Sequence, residues 1–80
     1  MEPIVTALLR VSDENHADPK GWSRIKEFLV LNGIDKDLAS NASYVARRVS
    51  FLREKQKKEK SSWSKAEEVA LTKMLEKYLQ

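Results

Sequence analysis

The clearest helix signals in this sequence lie in DPKGWSRIKEFLVLNG, which runs from Asp18 to Gly33. The Asp18 side chain can accept hydrogen bonds from free backbone N–H groups, and Pro19 suits the first position of a helix because its φ angle is fixed. Gly33 is typical of the residue just past a helix end. Between these signals, one predicted helix face carries four large apolar residues that we expect to be buried: Trp22, Ile25, Phe28 and Leu29.

On the N-terminal side of this stretch, apolar residues are again spaced as one face of a helix. This helix is predicted to begin near Pro3 and to end before a polar loop over 12–16. The loop contains the single histidine of the chain, His16, and the chain offers no second histidine or cysteine to share a metal ion. We therefore expect no metal site and no catalytic base in this loop.

On the C-terminal side, three further helical segments are predicted. A short helix follows Asp35 and breaks near Asn41, and the next helix covers 43–58. The polar end of that helix, 53–61, is either a solvated helical extension or a flexible link. The last helix spans 62–79.

No segment shows the alternating pattern of a strand, and two glycines and two prolines in 80 residues favour long helices. The sequence therefore predicts an all-α fold, a small orthogonal bundle of four to five helices that forms a single domain over 1–80. Its core should contain apolar residues from three of the predicted helices: Trp22, Ile25, Phe28, Val49, Leu52, Leu71 and Leu75.

Composition excludes several classes of function. The chain has no cysteine, which excludes disulfides, zinc–thiolate sites and cysteine nucleophiles. It begins without the cationic and apolar regions of a signal peptide and has no apolar run of about 18 residues, so we expect an intracellular protein, nuclear or cytoplasmic, without membrane contact. It also has no phosphate-binding glycine loop. We expect no enzymatic activity, no cofactor and no small-molecule substrate.

Positive charge is concentrated in one stretch, 47–60. It contains seven basic and two acidic residues, a net charge of +5, whereas the rest of the chain contains eight basic and ten acidic residues, a net charge of −2. This pattern predicts that a basic helix over 43–58 contacts the phosphate backbone of DNA or RNA, with its arginines facing solvent. It is also typical of a solvated helix end. The candidate contacts are Arg47, Arg48, Arg53, Lys55, Lys57, Lys58 and Lys60.

Two aromatic residues support an alternative function. Trp63 comes at the start of the last predicted helix, where it either fastens that helix to the core or stands exposed as an anchor for a partner. Tyr78 lies near the end of the same helix. Under this alternative, Trp63 and Tyr78 dock a short helical or disordered peptide of a protein partner.

Two segments resemble the Myb/SANT group of helical DNA-binding domains, including its trihelix and MADF-like variants. GWSRIKEFL at 21–29 is similar to the second helix of that fold, and YVARRVSFLR at 44–53 is similar to its recognition helix. The resemblance covers roughly residues 4–58. It implies a helix-turn-helix type of DNA contact, with Arg47 and Arg48 in the major groove, and a role in transcription or chromatin.

A second resemblance is to the N-terminal domain of transcription elongation factor S-II and the related integrase-binding domain. It rests on IDKDL at 34–38 and VARRVSFLR at 45–53, and the amphipathic segment 66–79 also has a counterpart there. Those domains are compact helical bundles that dock short disordered peptides. This resemblance therefore implies the alternative, peptide-docking function.

Overall fold

The computed structural model describes residues 2–59 and 62–79, with the backbone only for Ser62, and has four α-helices in that part of the chain. Helix α1 spans Ile4–Asn15, α2 spans Gly21–Leu31, α3 spans Lys36–Lys58 and α4 spans Ser62–Tyr78. The predicted small all-α bundle of four to five helices is confirmed, with four. Helix α3 packs against each of the other three, most extensively against α4.

Helix α1 continues through most of the segment predicted as a polar loop. Residues 12–15 are helical, and the Ser12 hydroxyl is buried against α3. This hydroxyl donates to the carbonyl of Ala46 at 2.9 Å, and its oxygen lies 2.6 Å from the Ser50 hydroxyl oxygen. A polar residue is buried here because its partners come from a distant part of the chain, and the local pattern does not contain that information.

Helix α2 begins two residues later than predicted, at Gly21. The preceding residues form a turn in which a side-chain oxygen of Asp18 accepts from the backbone N–H of Lys20 at 2.7 Å. Pro19 therefore lies in the turn and is not the first helical residue. Gly21 is packed against the end of α1, where a Cβ atom would lie 2.0 Å from the carbonyl oxygen of Asn15. The close approach of the two helices requires glycine at this position.

The loop between α2 and α3 begins and ends as predicted. Gly33 has a φ of 85°, and the following N–H, of Ile34, donates to the carbonyl of Leu29 at 3.1 Å. This is the glycine-terminated helix end expected from the sequence. Asp35 then caps α3, because its carboxylate accepts from the backbone N–H of Asp37 at 3.1 Å.

The two helices predicted on either side of Asn41 are one continuous helix, α3. The predicted break is absent because small residues continue the packing face through that point, and α1 and α2 pack closely on them. The polar extension is also helical as far as Lys58, so residues 53–58 are not a flexible link; positions 60 and 61 lie outside the described residues. The buried small residues of α3 are Ala39, Ala42, Ser43, Ala46 and Ser50.

The predicted core is confirmed in part. Four of the expected residues are buried: Ile25, Val49, Leu52 and Leu75. Three are only half-buried: Trp22, Phe28 and Leu71. The buried stripe of α2 runs through Gly21, Ile25 and Leu29, so that Trp22 and Phe28 flank it on opposite sides. The Trp22 ring lies at the edge of the core, with the ammonium group of Lys26 at 5.2 Å from its centroid.

Candidate binding surfaces

Arg53 is held by carboxylates from two other helices. Its Nη1 donates to Asp13 of α1 at 2.9 Å, and its Nε donates to Glu68 of α4 at 3.4 Å. Glu68 is almost buried and also accepts from Gln56 at 2.7 Å. The Arg53 guanidinium therefore joins α1, α3 and α4, and contact with a nucleic acid would require these bonds to be exchanged.

Arg47 is half-buried and closes the end of α1. Its Nε donates to the backbone carbonyl of His16 at 3.0 Å, and its guanidinium carbon lies 5.3 Å from the centroid of the Phe51 ring. The His16 ring is also buried and packs edge-to-face on Phe51, at 5.0 Å. A cation at a helix C-terminus is favourable because it opposes the negative end of the helix dipole. Contacts within the protein therefore account for the position of the Arg47 side chain.

The expectation that the arginines face solvent together is wrong. Arg48 is exposed, and its Nε donates to Glu67 of α4 at 3.1 Å, whereas Arg47 and Arg53 are half-buried against other elements. Ser50, one helical turn from both, is buried and donates to Asp13 at 2.7 Å. The side of α3 that was expected to be a solvent-exposed arginine stripe is instead a seam with α1.

The lysines of the basic stretch surround the end of α3. Lys55, Lys57 and Lys58 are exposed and belong to its last turn, where positive charge is favourable to a helix dipole. Lys57 makes an exposed pair with Glu54, three residues before it, at 3.4 Å. The remaining predicted contact, Lys60, lies outside the described residues. These lysines therefore form a basic tip that encircles the helix end and does not follow one face.

Helix α4 has a second, exposed apolar stripe beside its buried one. Trp63 is 65% exposed and Tyr78 is 42% exposed, and Met74 between them is 38% exposed. Together with Glu67 and Ala70, these residues are separated by steps of four, three, four and four, which place them on one side of a helix. The predicted partner-binding residues Trp63 and Tyr78 are thus the two ends of a continuous stripe.

Helix α3 contributes the adjoining part of the same surface. Tyr44 is 71% exposed, and it lies on one side of α3 with Arg48 and Lys55, at steps of four and seven. Two contacts connect this side of α3 to the stripe of α4: the Arg48–Glu67 pair at 3.1 Å, and the Lys55 ammonium group at 5.8 Å from the Trp63 ring centroid. We call this surface the outer face, which consists of Tyr44, Arg48, Lys55, Trp63, Glu67, Ala70, Met74 and Tyr78.

The sequence predicts a binding role for two of the apolar residues in the outer face, Trp63 and Tyr78. It predicts no such role for Tyr44, Ala70 or Met74. The signal that would have found the α4 residues is the presence of two apolar stripes in one helix, since one buried stripe already serves the packing of α4 on α3 and α1. Tyr44 gives no such signal, because its place beside α4 depends on how the two helices pair.

A groove of 860 Å³ lies on the other side of α4, between this helix and α1. Its floor is apolar and includes Leu9 and Leu79, which are buried. Charged residues surround it, and among them Arg10 donates to Glu2 at 2.6 Å, which raises the pKa of that guanidinium. The charged residues that line the groove are Arg10, Asp13, Glu14, Arg53 and Glu76.

Within residues 2–59 and 62–79, no three histidine, aspartate or glutamate side chains converge as a set of metal ligands. His16 Nδ1 lies 3.0 Å from the carbonyl oxygen of Asp13, so its ring is committed to the end of α1. None of the described helices has the length and apolar character to cross a membrane. Comparison with known proteins finds no matching family model, curated protein or solved structure.

Proposed function

We propose that this protein is a non-catalytic docking module that binds a short helical or disordered peptide of another protein through the outer face. The supporting observation is the exposure of large apolar side chains on one continuous surface: Tyr44, Trp63, Met74 and Tyr78. A partner that covers them removes apolar area from water, which contributes roughly 25 cal/mol for each Å². Tryptophan and tyrosine are also among the residues that most often dominate the binding energy of interfaces.

The dimensions of the outer face suit a short peptide. Trp63 and Tyr78 are fifteen residues apart in α4, so the stripe extends over about 22 Å along the helix. A partner helix of about four turns would span it. The resemblance of 34–38 and 45–53 to the peptide-docking S-II type of domain favours the same function. We also propose that the protein acts inside the cell, in the nucleus or cytoplasm.

Nucleic-acid binding is the second candidate, and the basic tip favours it. Lys55, Lys57 and Lys58 are exposed, and Lys55 lies beside the Trp63 ring; such a combination of cations with an aromatic ring suits a phosphate backbone and an unpaired base. We rank this candidate second because Arg47 and Arg53 are engaged in bonds within the molecule. A DNA-binding role in transcription or chromatin would then depend on the lysines.

Chemical-shift mapping on the full ¹⁵N-labelled chain tests the two candidates side by side. The probes are a mixed-sequence DNA duplex of about 15 base pairs and an amphipathic helical peptide of about 15 residues. The docking proposal predicts that the peptide changes the amide chemical shifts of residues 44–55 and 63–78. Shifts confined to 55–65 with the duplex, together with none from any amphipathic peptide, would show the docking proposal to be wrong.

A matched pair of variants controls for general stickiness of exposed apolar side chains. Trp63→Ala removes an anchor of the outer face, whereas Leu31→Ala removes an even more exposed residue, 77% exposed, from the end of α2. Docking predicts that Trp63→Ala weakens peptide binding at least about tenfold, which corresponds to the loss of one interface anchor. Leu31→Ala should leave binding unchanged. Equal losses in both variants would mean that the peptide adsorbs without a defined site.

A further inference from the structure

We infer that the partner of the outer face is an acidic amphipathic helix, in which carboxylates flank an apolar stripe. The inference rests on the proposed docking function and adds the chemistry of the partner. It starts from the cations around the outer face. Arg48 and Lys55 lie on its α3 side, and Lys73 and Lys77 are exposed on the side of α4 that points away from α3.

The acidic residue of this surface is already neutralised. Glu67 lies between the two helices, and its carboxylate accepts from Arg48 at 3.1 Å and 3.5 Å. Asp37, about two turns before Tyr44, is at the N-terminus of α3, where a carboxylate is favourable to the helix itself. Arg48 is neutralised by the same pair with Glu67, so Lys55 is the available cation on the α3 side of the apolar stripe, and Lys73 and Lys77 are those on the other side.

Acidic residues are instead grouped on the opposite side of α4. Glu76 follows Met74 by two residues, which places it on the other side of the helix, where it lines the groove with Asp13 and Glu14. Arg10 and Arg53 also line the groove, so its two cations and three carboxylates give a net charge of −1, whereas the outer face with Lys73 and Lys77 has four cations and one carboxylate, a net charge of +3. An approaching acidic helix is therefore attracted to the outer face in preference to the groove, and such complementarity determines where a charged partner first docks.

The centre of the outer face can receive a large apolar side chain. Ala70 is exposed and small, and the larger Met74 follows it by one turn. The antiparallel register given by the Arg48–Glu67 and Lys55–Trp63 contacts places Tyr44 level with 70–74. Ala70 is therefore the smallest side chain of the outer face and has larger side chains around it. We expect a leucine or phenylalanine of the partner helix to pack over Ala70, with apolar residues one turn before and after it.

Three synthetic peptides of about 15 residues test this assignment. The first is an amphipathic helix with leucines and one phenylalanine on one side and glutamates on the other. The second has lysines in place of the glutamates, and the third has the composition of the first in scrambled order. Binding is followed by Trp63 fluorescence in a Trp22→Phe background, because both tryptophans would otherwise contribute to the signal.

The acidic amphipathic helix should bind at least about tenfold more tightly than either control peptide, because several surface ion pairs, each weak, add to the same apolar contact. Lys73→Glu with Lys77→Glu should reduce or reverse this preference. Ala70→Arg should abolish binding because it places a bulky, charged side chain at the centre of the outer face, and Val69→Arg, at an exposed position outside the outer face, is its control.

Each other outcome overturns a defined part of the argument. Equal binding of the acidic and basic helices would overturn the acidic partner and leave the docking function standing. Equal binding of the scrambled acidic peptide would show that charge alone attracts it, without a helical stripe. If no peptide changes the Trp63 fluorescence while a DNA duplex does, the docking proposal itself is wrong. Sedimentation that shows a dimer, disrupted by Ala70→Arg, would identify the occupant as a second copy of this chain.

Discussion

The two sides of helix α4 each combine apolar residues with surrounding charges. They differ in whether the apolar residues are buried and in whether the charges are paired. In the groove, Leu9 and Leu79 belong to the core, and the charged side chains around them are largely paired, Arg10 with Glu2 and Arg53 with Asp13. On the outer face, the apolar side chains are exposed, and cations such as Lys73 and Lys77 surround them.

This difference separates a seam of the fold from a surface for a partner. Buried apolar residues with paired charges already have their favourable contacts, so a ligand would have to exchange existing bonds for new ones. Exposed aromatic residues beside available cations have contacts still to gain. Apolar composition alone therefore does not identify a binding site in this protein; exposure and unpaired charge do.

The largest effect is expected in the groove. Leu9→Ala removes a buried side chain and leaves a cavity between α1 and its neighbours, so it should lower the free energy of unfolding by about 2–4 kcal/mol. Urea denaturation measures this loss. Peptide binding to the folded variant should be unchanged. A fully stable Leu9→Ala variant with impaired peptide binding would show that the groove, and not the outer face, is the functional surface.

A smaller loss of stability is expected from the arginine that joins three helices. Arg53→Met should cost about 1–2 kcal/mol, because the almost buried Glu68 loses a charged partner and the exposed pair with Asp13 contributes less. Lys57→Met, in the same basic stretch, is the control and should cost less than about 0.5 kcal/mol. Equal effects of the two substitutions on urea midpoints would contradict the distinction between arginines and lysines drawn here.

Exposed residues of the outer face should affect binding and not stability. Tyr44→Ala should change the free energy of unfolding by less than about 0.5 kcal/mol, since its side chain is mostly in water. The affinity of the Tyr44→Ala variant for the acidic amphipathic peptide should nevertheless fall at least about tenfold. A large loss of stability in Tyr44→Ala would mean that the outer face is part of the core and would weaken the contrast with the groove.

The smallest effect on folding is expected at the basic tip. Lys57→Gln with Lys58→Gln should change the urea midpoint little, because both side chains are exposed at the end of α3 and neutral glutamine removes only their weak interaction with the helix dipole. If the tip contacts phosphates, the same double variant should weaken duplex binding and reduce its salt dependence by about one logarithmic unit per lost contact. Unchanged duplex binding would exclude these lysines as the contact.

The parts of this structure that follow from local chemistry were predictable. Pro3, Gly33 and Asp35 mark helix ends through their own backbone geometry or side-chain hydrogen bonds, and each helix end lies beside them as expected. The spacing of apolar residues likewise indicated the helical segments, although it divided α3 into two helices near Asn41. Neither signal depends on the rest of the chain, so a short stretch of sequence is sufficient to predict these features.

The roles of the basic residues were not predictable in the same way. Whether an arginine meets a nucleic acid or a carboxylate depends on what the fold places next to it, and Asp13 is forty residues away from Arg53. The buried Ser12–Ser50 contact has the same character, and it is the reason that a polar segment proved helical. For the outer face, the stripe of α4 was visible in the sequence, but its neighbour Tyr44 was not.

The corner between α1 and α2 limits how this chain can vary. At Gly21, any other amino acid would place its Cβ about one ångström or more inside the contact distance of the Asn15 carbonyl oxygen, at 2.0 Å. At Gly33 the backbone has a positive φ of 85°, which most residues disfavour, but an added Cβ would have open space around it. Asparagine, which adopts positive φ more readily than most residues, is therefore a tolerable replacement there. In a library that contains every amino acid at both positions, selection for folded protein should therefore return a single residue at 21 and a small set at 33.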